Sequence, residues 1–526
     1  MNLGRGHTAR AHGRARSAAA AAAALAIAAL AVAGAQLEPA AAAPTPAKAA
    51  PSPKKEKTGQ PKLSKAKRRE LARRNRRQKR PNVIVVMTDD QEDSMVGLPW
   101  TERTLGSGGT TFRNSYVSFP LCCPTRATLL TGQYAHNHGV VSTELPNGYN
   151  ALDHRNTLAV WLKRAGYRTA MVGKYLNGYG IDDGIAEPKP DRKERPPGWS
   201  EWVALTAGKD QRRYSYKLNE NGRIVTYRRR KRDYVTDVLA DKAVDFVDER
   251  APRPKPFFLW FNPSAPHGEA GGPTGYARNP TPAPRHIGDF EGALRPRTPN
   301  FNPADVSDKP GFIRTIPRLG TAEILDIDLR YQGRAESLLS VDDAIKRIWN
   351  RLRKAGDKRK TYVIFTSDNG LMMGAQRLLL KNYIYEEDVA VPLVIRGPDV
   401  PRGVVRDDLV TSVVLAPTIV DITRVEPRLL MDGRSLLPIA NGDGPGLGRD
   451  LLFERTGGDA AIRRGNWIFV HRLFDRDELY NLAADPWQLD NRLFPADEIT
   501  PVDQAMRNQL AARLVQLRAC AGASCP

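Results

Sequence analysis

Three short runs constrain this chain more than anything else in its sequence. NVIVVMT (82–88), FFLWFN (257–262) and TYVIFTS (361–367) are unbroken apolar or β-branched segments of strand length. A strand wetted on one face alternates polar with apolar residues, so a run that does not alternate belongs to a strand buried on both faces. Between such runs lie segments of helical spacing. TLAVWLKRAGY precedes the strand RTAMVGK, DYVTDVLADKAVDFVDER precedes FFLWFN, and LLSVDDAIKRIWNRLRKAG precedes TYVIFTS. VPLVIRG and DLVTSVV read as further strands. This alternation predicts an α/β fold, a largely parallel or mixed sheet covered by helices on both faces. Two irregular stretches, 183–230 and 265–318, are rich in Pro, Gly and Arg and too long for plain connectors, so they are expected to build the rim of a site. Beyond residue 442, LLFER, AAIRRG and NWIFVHRL read as short strands and DQAMRNQLAARLVQLRA as a closing helix. They predict a smaller C-terminal α+β domain with a short antiparallel sheet.

The amino terminus reads as an address. Arg5, Arg10, Arg14 and Arg16 precede an uncharged, Ala-rich run from 17 to 37, with small residues at 41–43. That is the form of a secretory signal peptide; the competing reading is an uncleaved membrane anchor. The expected organisation is a signal peptide (1–43), a disordered Pro/Lys/Arg-rich tether (44–80), a main domain (81–441) and the smaller C-terminal domain (442–526). The net charge of +22 suggests a polyanion partner, but residues 1–80 hold 19 Lys and Arg against three acids. The folded part is therefore only mildly basic. The tether reads as a solvated spacer or a polyanion or cell-envelope contact, and nucleic acid is not expected for an exported chain. The expected location is secreted or cell-envelope associated, in a bacterium, with membrane contact only through an uncleaved signal segment. Cys520 and Cys525 close the tail CAGASC, where a small disulfide suits an oxidising compartment.

Strand ends carry the chemistry in open α/β sheets. VIVVMTDD ends in Asp89 and Asp90, YVIFTSDNG in Asp368 and Asn369, and FFLWFNPSAPHG in His267. Singly, each is an ordinary turn; together they converge on one rim. Three carboxylates and an amide oxygen suit Ca²⁺, with Mg²⁺ as the alternative, and not Zn²⁺. Arg126, Lys174 and Lys381 are the candidates to offset the carboxylates, and any excess of positive charge favours an anionic substrate. Cys122 and Cys123 stand just before Pro124 in CCPTRATLLTG, at the start of a helical stretch where free N–H groups favour an anion.

At this point the chain resembles the type I, formylglycine-dependent sulfatases of the alkaline-phosphatase superfamily. Cys122-Cys123-Pro124-Thr125-Arg126 fits the Cys-x-Pro-x-Arg signature, with Cys122 as the residue converted to formylglycine (3-oxoalanine). TDDQ and SDNG resemble the two metal pairs, Asp89 with Asp90 and Asp368 with Asn369. Lys174 in VGKYLNGYG, His267 in APHG and Lys381 in LLLKNYIYEEDVAVPLVIRGP match the substrate-binding lysine, the histidine and the second lysine. ELYNLAADPWQLDNRL resembles the C-terminal signature. CCPTRATLLTGQYAHNHGV and KYLNGYG are closest to bacterial relatives of the N-acetylglucosamine-6-sulfatases.

The resemblance implies an alkaline-phosphatase-like sheet sandwiched by helices and an exported enzyme that hydrolyses an aryl or carbohydrate sulfate to alcohol and inorganic sulfate. It implies metal ligation by Asp89, Asp90, residue 122, Asp368 and Asn369, and catalytic roles for Cys122, Arg126, Lys174, His267 and Lys381. A sulfated small molecule or glycan, and a formylglycine-generating enzyme during maturation, are the implied partners. The sequence departs from the family at Leu176, where many members have histidine, and at Gly374, Ala375 and Gln376, where many read Gly-Glu-His. His136 and His138 are nearby in sequence, with a structural role the competing reading. Two other readings stand beside the sulfatase: a formylglycine-dependent phosphodiester or phosphonate monoester hydrolase, and a non-catalytic polyanion-binding protein on the same fold.

Overall fold

The computed structural model describes residues 80–180, 191–206, 212–269, 279–442 and 450–526. The expected signal peptide and all but the last residue of the expected tether lie outside the described residues. Among the described residues, ten strands form the main sheet. They are β1 (Asn82–Thr88), β2 (Thr110–Phe112), β3 (Arg168–Gly173), β4 (Glu201–Leu205), β5 (Lys217–Glu220), β6 (Arg223–Thr226), β7 (Phe257–Asn262), β8 (Thr361–Ser367), β9 (Leu393–Arg396) and β10 (Val404–Arg406). Their order is β10-β2-β9-β8-β1-β7-β3-β4-β5-β6. The block β8-β1-β7-β3-β4 is parallel, whereas β9, β5 and β6 run antiparallel to their partners, so the sheet is mixed.

Why the central runs do not alternate is now visible. Val83, Val85 and Met87 of β1 face a core shared with α1 (Cys122–Thr131), α2 (Leu158–Arg164) and, further along the chain, Leu415–Thr423. Ile84 and Val86 face the opposite core, built with α3 (Val235–Arg250) and α4 (Thr321–Lys354). With both faces dry, the run from Val83 to Met87 is apolar throughout.

Three local expectations needed revision. First, α4 spans 34 residues and begins well before the expected LLSVDDAIKRIWNRLRKAG. Its first half buries Asp328, Arg330, Arg334, Glu336 and Ser337, so the buried face there is polar and shows no apolar period. Second, the stretch 183–230, read as irregular rim, contributes β4, β5 and β6 to the sheet itself. Third, DLVTSVV supplies only the two-residue strand Val410–Thr411 before the chain turns into the next helix.

The C-terminal strands β11 (Asp450–Glu454), β12 (Ala460–Arg464), β13 (Trp467–His471) and β14 (Glu478–Asn481) form an antiparallel meander. Leu452, Ile462 and Phe469 share a core with Leu510, Leu514 and Leu517 of the closing helix Pro501–Arg518. Leu451, Phe453, Ile468 and Val470 pack with Tyr116, Ile384 and Val389. The expected 441/442 domain boundary falls one residue before 443–449, which lie outside the described residues. Cys520 and Cys525 form a disulfide, and Cys122 and Cys123 are free. Among the described residues no helix is long and apolar enough to cross a membrane.

Candidate active site

The site assembles at the carboxyl ends of the parallel strands. The chain leaves β1 through Asp89 and Asp90, and Asp90 adopts φ 65°, a left-handed conformation rarely held without compensation. Two contacts hold it: its N–H donates to Asp368 Oδ1 at 3.1 Å, and Arg334 donates to its carbonyl. Lys174 directly follows β3, whose last residue Gly173 has φ 123°. A Cβ there would fall 1.9 Å from the Asn262 carbonyl oxygen, so only glycine lets the strand pass β7 at this point. The ammonium of Lys174 then sits 2.9 Å from both carboxylate oxygens of Asp89.

Helix α1 presents Cys122 as its first residue, after an extended Leu121; Pro124 fits its first turn, and Gly132 closes it in the left-handed conformation. All ten residues are buried, which is why TRATLLTG carries no charge other than Arg126. Cys122 Sγ lies 3.4 Å from Asp89 Oδ1, 3.7 Å from Asp90 Oδ1 and 2.8 Å from Lys381 Nζ. One helical turn later Arg126, fully buried, donates through Nε to Asp368 Oδ2 at 2.8 Å and through Nη1 to the Lys174 carbonyl at 2.9 Å. Lys381 also contacts Asp90 Oδ1. His267 Nε2 lies 3.4 Å from Asp90 Oδ2, and its Nδ1 is 2.6 Å from the Gly268 carbonyl, a contact that assigns the proton to Nδ1. Asn369 Nδ2 donates to Asp90 Oδ1 at 2.8 Å. The nine residues singled out in the sequence thus form one connected cluster.

Electrostatics explain how so many charges survive burial. Burial alone would raise the carboxyl pKa values, but Lys174, His267, Arg126 and Lys381 hold Asp89 far below the usual carboxylate range. Burial likewise opposes ionisation of Asp90, yet His267 and Lys381 bring it down to about 2. Burial, reinforced by Asp368, pushes the Cys122 thiol well up, so it is a poor thiolate. Burial lowers His267 despite the pull of Asp90 and Asp89. Three carboxylates face three fixed cations, so the site is close to neutral before any ligand enters.

The donors fit a hard divalent ion. Ligand atoms of Asp89, Asp90, Cys122 and His267 all lie within 4.8 Å of one another. Among the described residues Asn369 Oδ1 is buried without a hydrogen-bond partner, while its amide nitrogen is spent on Asp90 and the Gly370 carbonyl. An orphaned amide oxygen beside carboxylates is what an oxygen-liganded cation requires.

The other sequence candidates fall elsewhere. His136 bridges Glu454 and the Cys520 carbonyl, each at 2.9 Å, and His138 bonds Thr128 Oγ1 and the Val140 N–H. Leu176 and Ala375 are core residues, and Gln376 donates to the carbonyls of Trp487 and Gln488. Cys123 packs in the core with its thiol near the Asn177 carbonyl. Two arginines went unread. Arg334 on α4 ties the Asp90 and Pro266 carbonyls to Glu92, and Arg213 donates to Ser264 Oγ and to the Ser264 and His267 carbonyls. Nothing in the α4 sequence marks Arg334; the Arg-rich character of 183–230 was the only hint of Arg213.

Comparison with known proteins accords with this geometry. The Sulfatase family model matches residues 81–425, and that described as N-sulphoglucosamine sulphohydrolase, C-terminal, matches 374–516. The chain is 32% identical over 499 residues to human N-acetylglucosamine-6-sulfatase, covering 85% of this chain and 86% of the relative. It is 34% identical over 374 residues to the Drosophila melanogaster extracellular sulfatase SULF-1 homologue, covering 69% of this chain but only 31% of that longer protein. It likewise spans about half (49%) of the Caenorhabditis elegans counterpart. A protein solved in complex with its substrate, D-glucosamine-2-N,6-O-disulfate, superposes with a TM-score of 0.68 at 23% identity, covering 83% of this chain and 97% of that one. A family model that takes in every one of the nine clustered residues, and a human relative aligned over most of both chains, make this chain a member of the sulfatase family, the hydrolases of sulfuric esters.

Proposed function

We propose that the protein is an exported sulfatase that removes sulfate from a sulfated glucosamine unit, using a formylglycine made from Cys122 and a bound Ca²⁺. One observation carries the reading: residue 122 opens α1 with its side chain among Asp89, Asp90 and Lys381, and Arg126 one turn on locks Asp368 beside it. The raised pKa of the buried thiol argues against cysteine itself as nucleophile. In the proposed enzyme, Cys122 Sγ marks the place of the formylglycine oxygens.

Hydrated, the aldehyde supplies a geminal diol, one hydroxyl to displace the alcohol from sulfur and the other to release sulfate as the carbonyl re-forms. Asp89, Asp90, Asp368 and the free Asn369 Oδ1 would hold the divalent ion, which supplies positive charge for ionising a hydroxyl and for the sulfuryl oxygens. Lys174 and Lys381 neutralise the ester's negative charge and its redistribution in the transition state. Arg126 fixes Asp368 and keeps its guanidinium behind residue 122. His267 carries its proton on Nδ1 in the neutral form and turns Nε2 toward the site, so in its protonated form it delivers a proton from Nε2 to the leaving oxygen; Lys381 is the alternative donor. His136 and His138, being tied to Glu454 and Thr128, are not assigned the base for sulfate release.

Support for the substrate class comes from relatives named N-acetylglucosamine-6-sulfatase and from the solved disulfated glucosamine complex. Support for export comes from the signal-like amino terminus and the relatives named extracellular sulfatases. Mass spectrometry of the tryptic peptide 114–126 tests the central step. Active protein is expected to carry an aldehyde at residue 122; an intact thiol in fully active enzyme overturns the mechanism. Turnover of an aryl sulfate against an aryl phosphodiester separates the proposed activity from phosphodiester hydrolysis.

A further inference from the structure

The β5–β6 hairpin ends in TYRRRKR, and Arg228, Arg229, Arg230, Lys231 and Arg232 are all exposed. Among the described residues none of these five side chains has a hydrogen bond or ion pair. The nearby acids are engaged elsewhere. Glu220 accepts from Lys242 and Tyr227, Asp233 from the backbone N–H of Arg228, and Asp237 from Arg285. Five adjacent, uncompensated cations on a fold that is otherwise only mildly basic are a local field seeking an anion.

Topology places this field. β4 is parallel to β3, and β5 and β6 are antiparallel to their predecessors, so Lys217 and Thr226 lie opposite one another near the end of β4. That is the rim from which Lys174 emerges after β3. Three strand steps separate β3 from β6, about 14 Å along the rim. Beside the arginines lies an open groove of about 370 Å³ lined by Ser215, Tyr216, Lys217, Thr226, Tyr227 and Arg228. The groove thus combines a peptide wall, an aromatic ring and cations, which suits a sugar ring bearing acidic groups.

We infer that this groove and the 228–232 segment form an exosite for a sulfated glycan chain, holding sugar units beyond the one being cleaved. The inference rests on the proposed sulfatase reading, and it extends the substrate from a monosaccharide to a polyanionic polymer. The chain runs along the carboxyl rim of the sheet, its sulfates against Arg228–Arg232 and its next residues toward Lys174.

Direct binding tests it independently of turnover. Full-length protein and its R228Q/R229Q/R230Q variant are titrated with a size-defined sulfated heparin-type oligosaccharide at physiological salt, with thermal melting to confirm folding. A second variant, R353Q/K358Q/R359Q, removes the same charge from the opposite rim, where α4 returns to the start of β8. The hairpin variant is expected to bind at least about ten-fold more weakly, with a shallower salt dependence, while the opposite-rim variant binds as the parent does. Hydrogen exchange on the parent is expected to show oligosaccharide protection at 212–232. Equal losses in both variants, no loss in either, or no protection of 212–232 overturns the exosite. Binding of phosphatidylserine vesicles through 228–230 with no binding of the oligosaccharide overturns it in favour of a lipid surface. Aryl sulfate turnover by the parent, measured separately, reports on the reaction itself, so loss of the catalytic reading and loss of the exosite are distinguished.

Discussion

Replacing Arg334 by Met tests whether a residue invisible in the sequence positions the site. Its guanidinium donates to the carbonyls of Asp90 and Pro266 and to Glu92 Oε2, and it is almost fully buried. Met keeps most of the volume and removes all three bonds. Two bonds to carbonyls are worth about 1 kcal/mol each and the charged one about 2. Burial disfavours ionised Glu92, whose pKa is nevertheless lowered by Arg334 and Arg295. Arg295, 3.2 Å from the other Glu92 oxygen, keeps that carboxylate partly paired and spares the full penalty of an abandoned buried charge. The expected loss is therefore about 3–4 kcal/mol, read as a fall in thermal and urea midpoints. Asp90, released from its left-handed conformation, is expected to cost turnover as well. A double-mutant cycle with Glu92→Gln isolates the ion pair: the two losses should fall short of additive by roughly 1–2 kcal/mol. Strict additivity, or an Arg334→Met protein as stable as its parent, refutes the assignment.

Other consequences are direct. Gly173→Ala puts a Cβ 1.9 Å from the Asn262 carbonyl at a φ of 123°, so it is expected to cost about 3 kcal/mol or more. Gly166→Ala, at φ +94° with nothing within 4 Å, should cost only about 1, and equal melting temperatures for the two would refute the packing argument. Burial holds the His154 imidazole neutral and lowers its pKa to about 4, against the pull of its bond to the Tyr149 carbonyl. A folded value below the unfolded value near 6.5 means stability fully present above about pH 6.5 and lost as pH falls toward 4, by about 3 kcal/mol. His154→Gln should flatten that part of the stability-versus-pH curve; an unchanged slope counts against it. Chelation should lower the melting temperature and excess Ca²⁺ restore it, by about 2.7 kcal/mol at a hundredfold excess over Kd; indifference to both would remove the metal from the reading.

How legible the fold was depended on which force placed each element. β1, β7 and β8 are buried on both faces, and their composition declared it. β4, β5 and β6 lie toward one edge of the sheet, and β5 (KLNE) and β6 (RIVT) are only four residues long and end in polar or charged residues, too short to show a period. The first half of α4 was hidden for a different reason. Most of its buried side chains are polar: Asp328, Arg334 and Glu336 bond partners on other elements and Arg330 pairs with Asp326 one turn earlier, so this half lacks the apolar stripe by which a helix is recognised.

The site divides along the same line. The residues proposed to touch a metal or substrate lie close together in sequence: Asp89 with Asp90 and Asp368 with Asn369 directly after β1 and β8, and Cys122 with Pro124 and Arg126 in the opening turns of α1. Local chemistry makes such groups readable. Their supports act across the chain. Arg334 reaches Asp90 from 244 positions away, and Arg213 reaches the His267 carbonyl from 54. A side chain that supports a turn so distant in sequence leaves no spacing rule behind, and on its own helix Arg334 looks like any solvated arginine. The orphaned Asn369 Oδ1 sharpens the contrast. The sequence names the amide, but only the folded site shows that its nitrogen is already committed and its oxygen is not. Coordination is the role proposed for that oxygen, and an Asn369→Asp variant, which adds a charge without changing shape, is expected to tighten Ca²⁺ binding. Unchanged or weaker Ca²⁺ affinity, measured by calorimetry, would instead leave the oxygen as a packing defect.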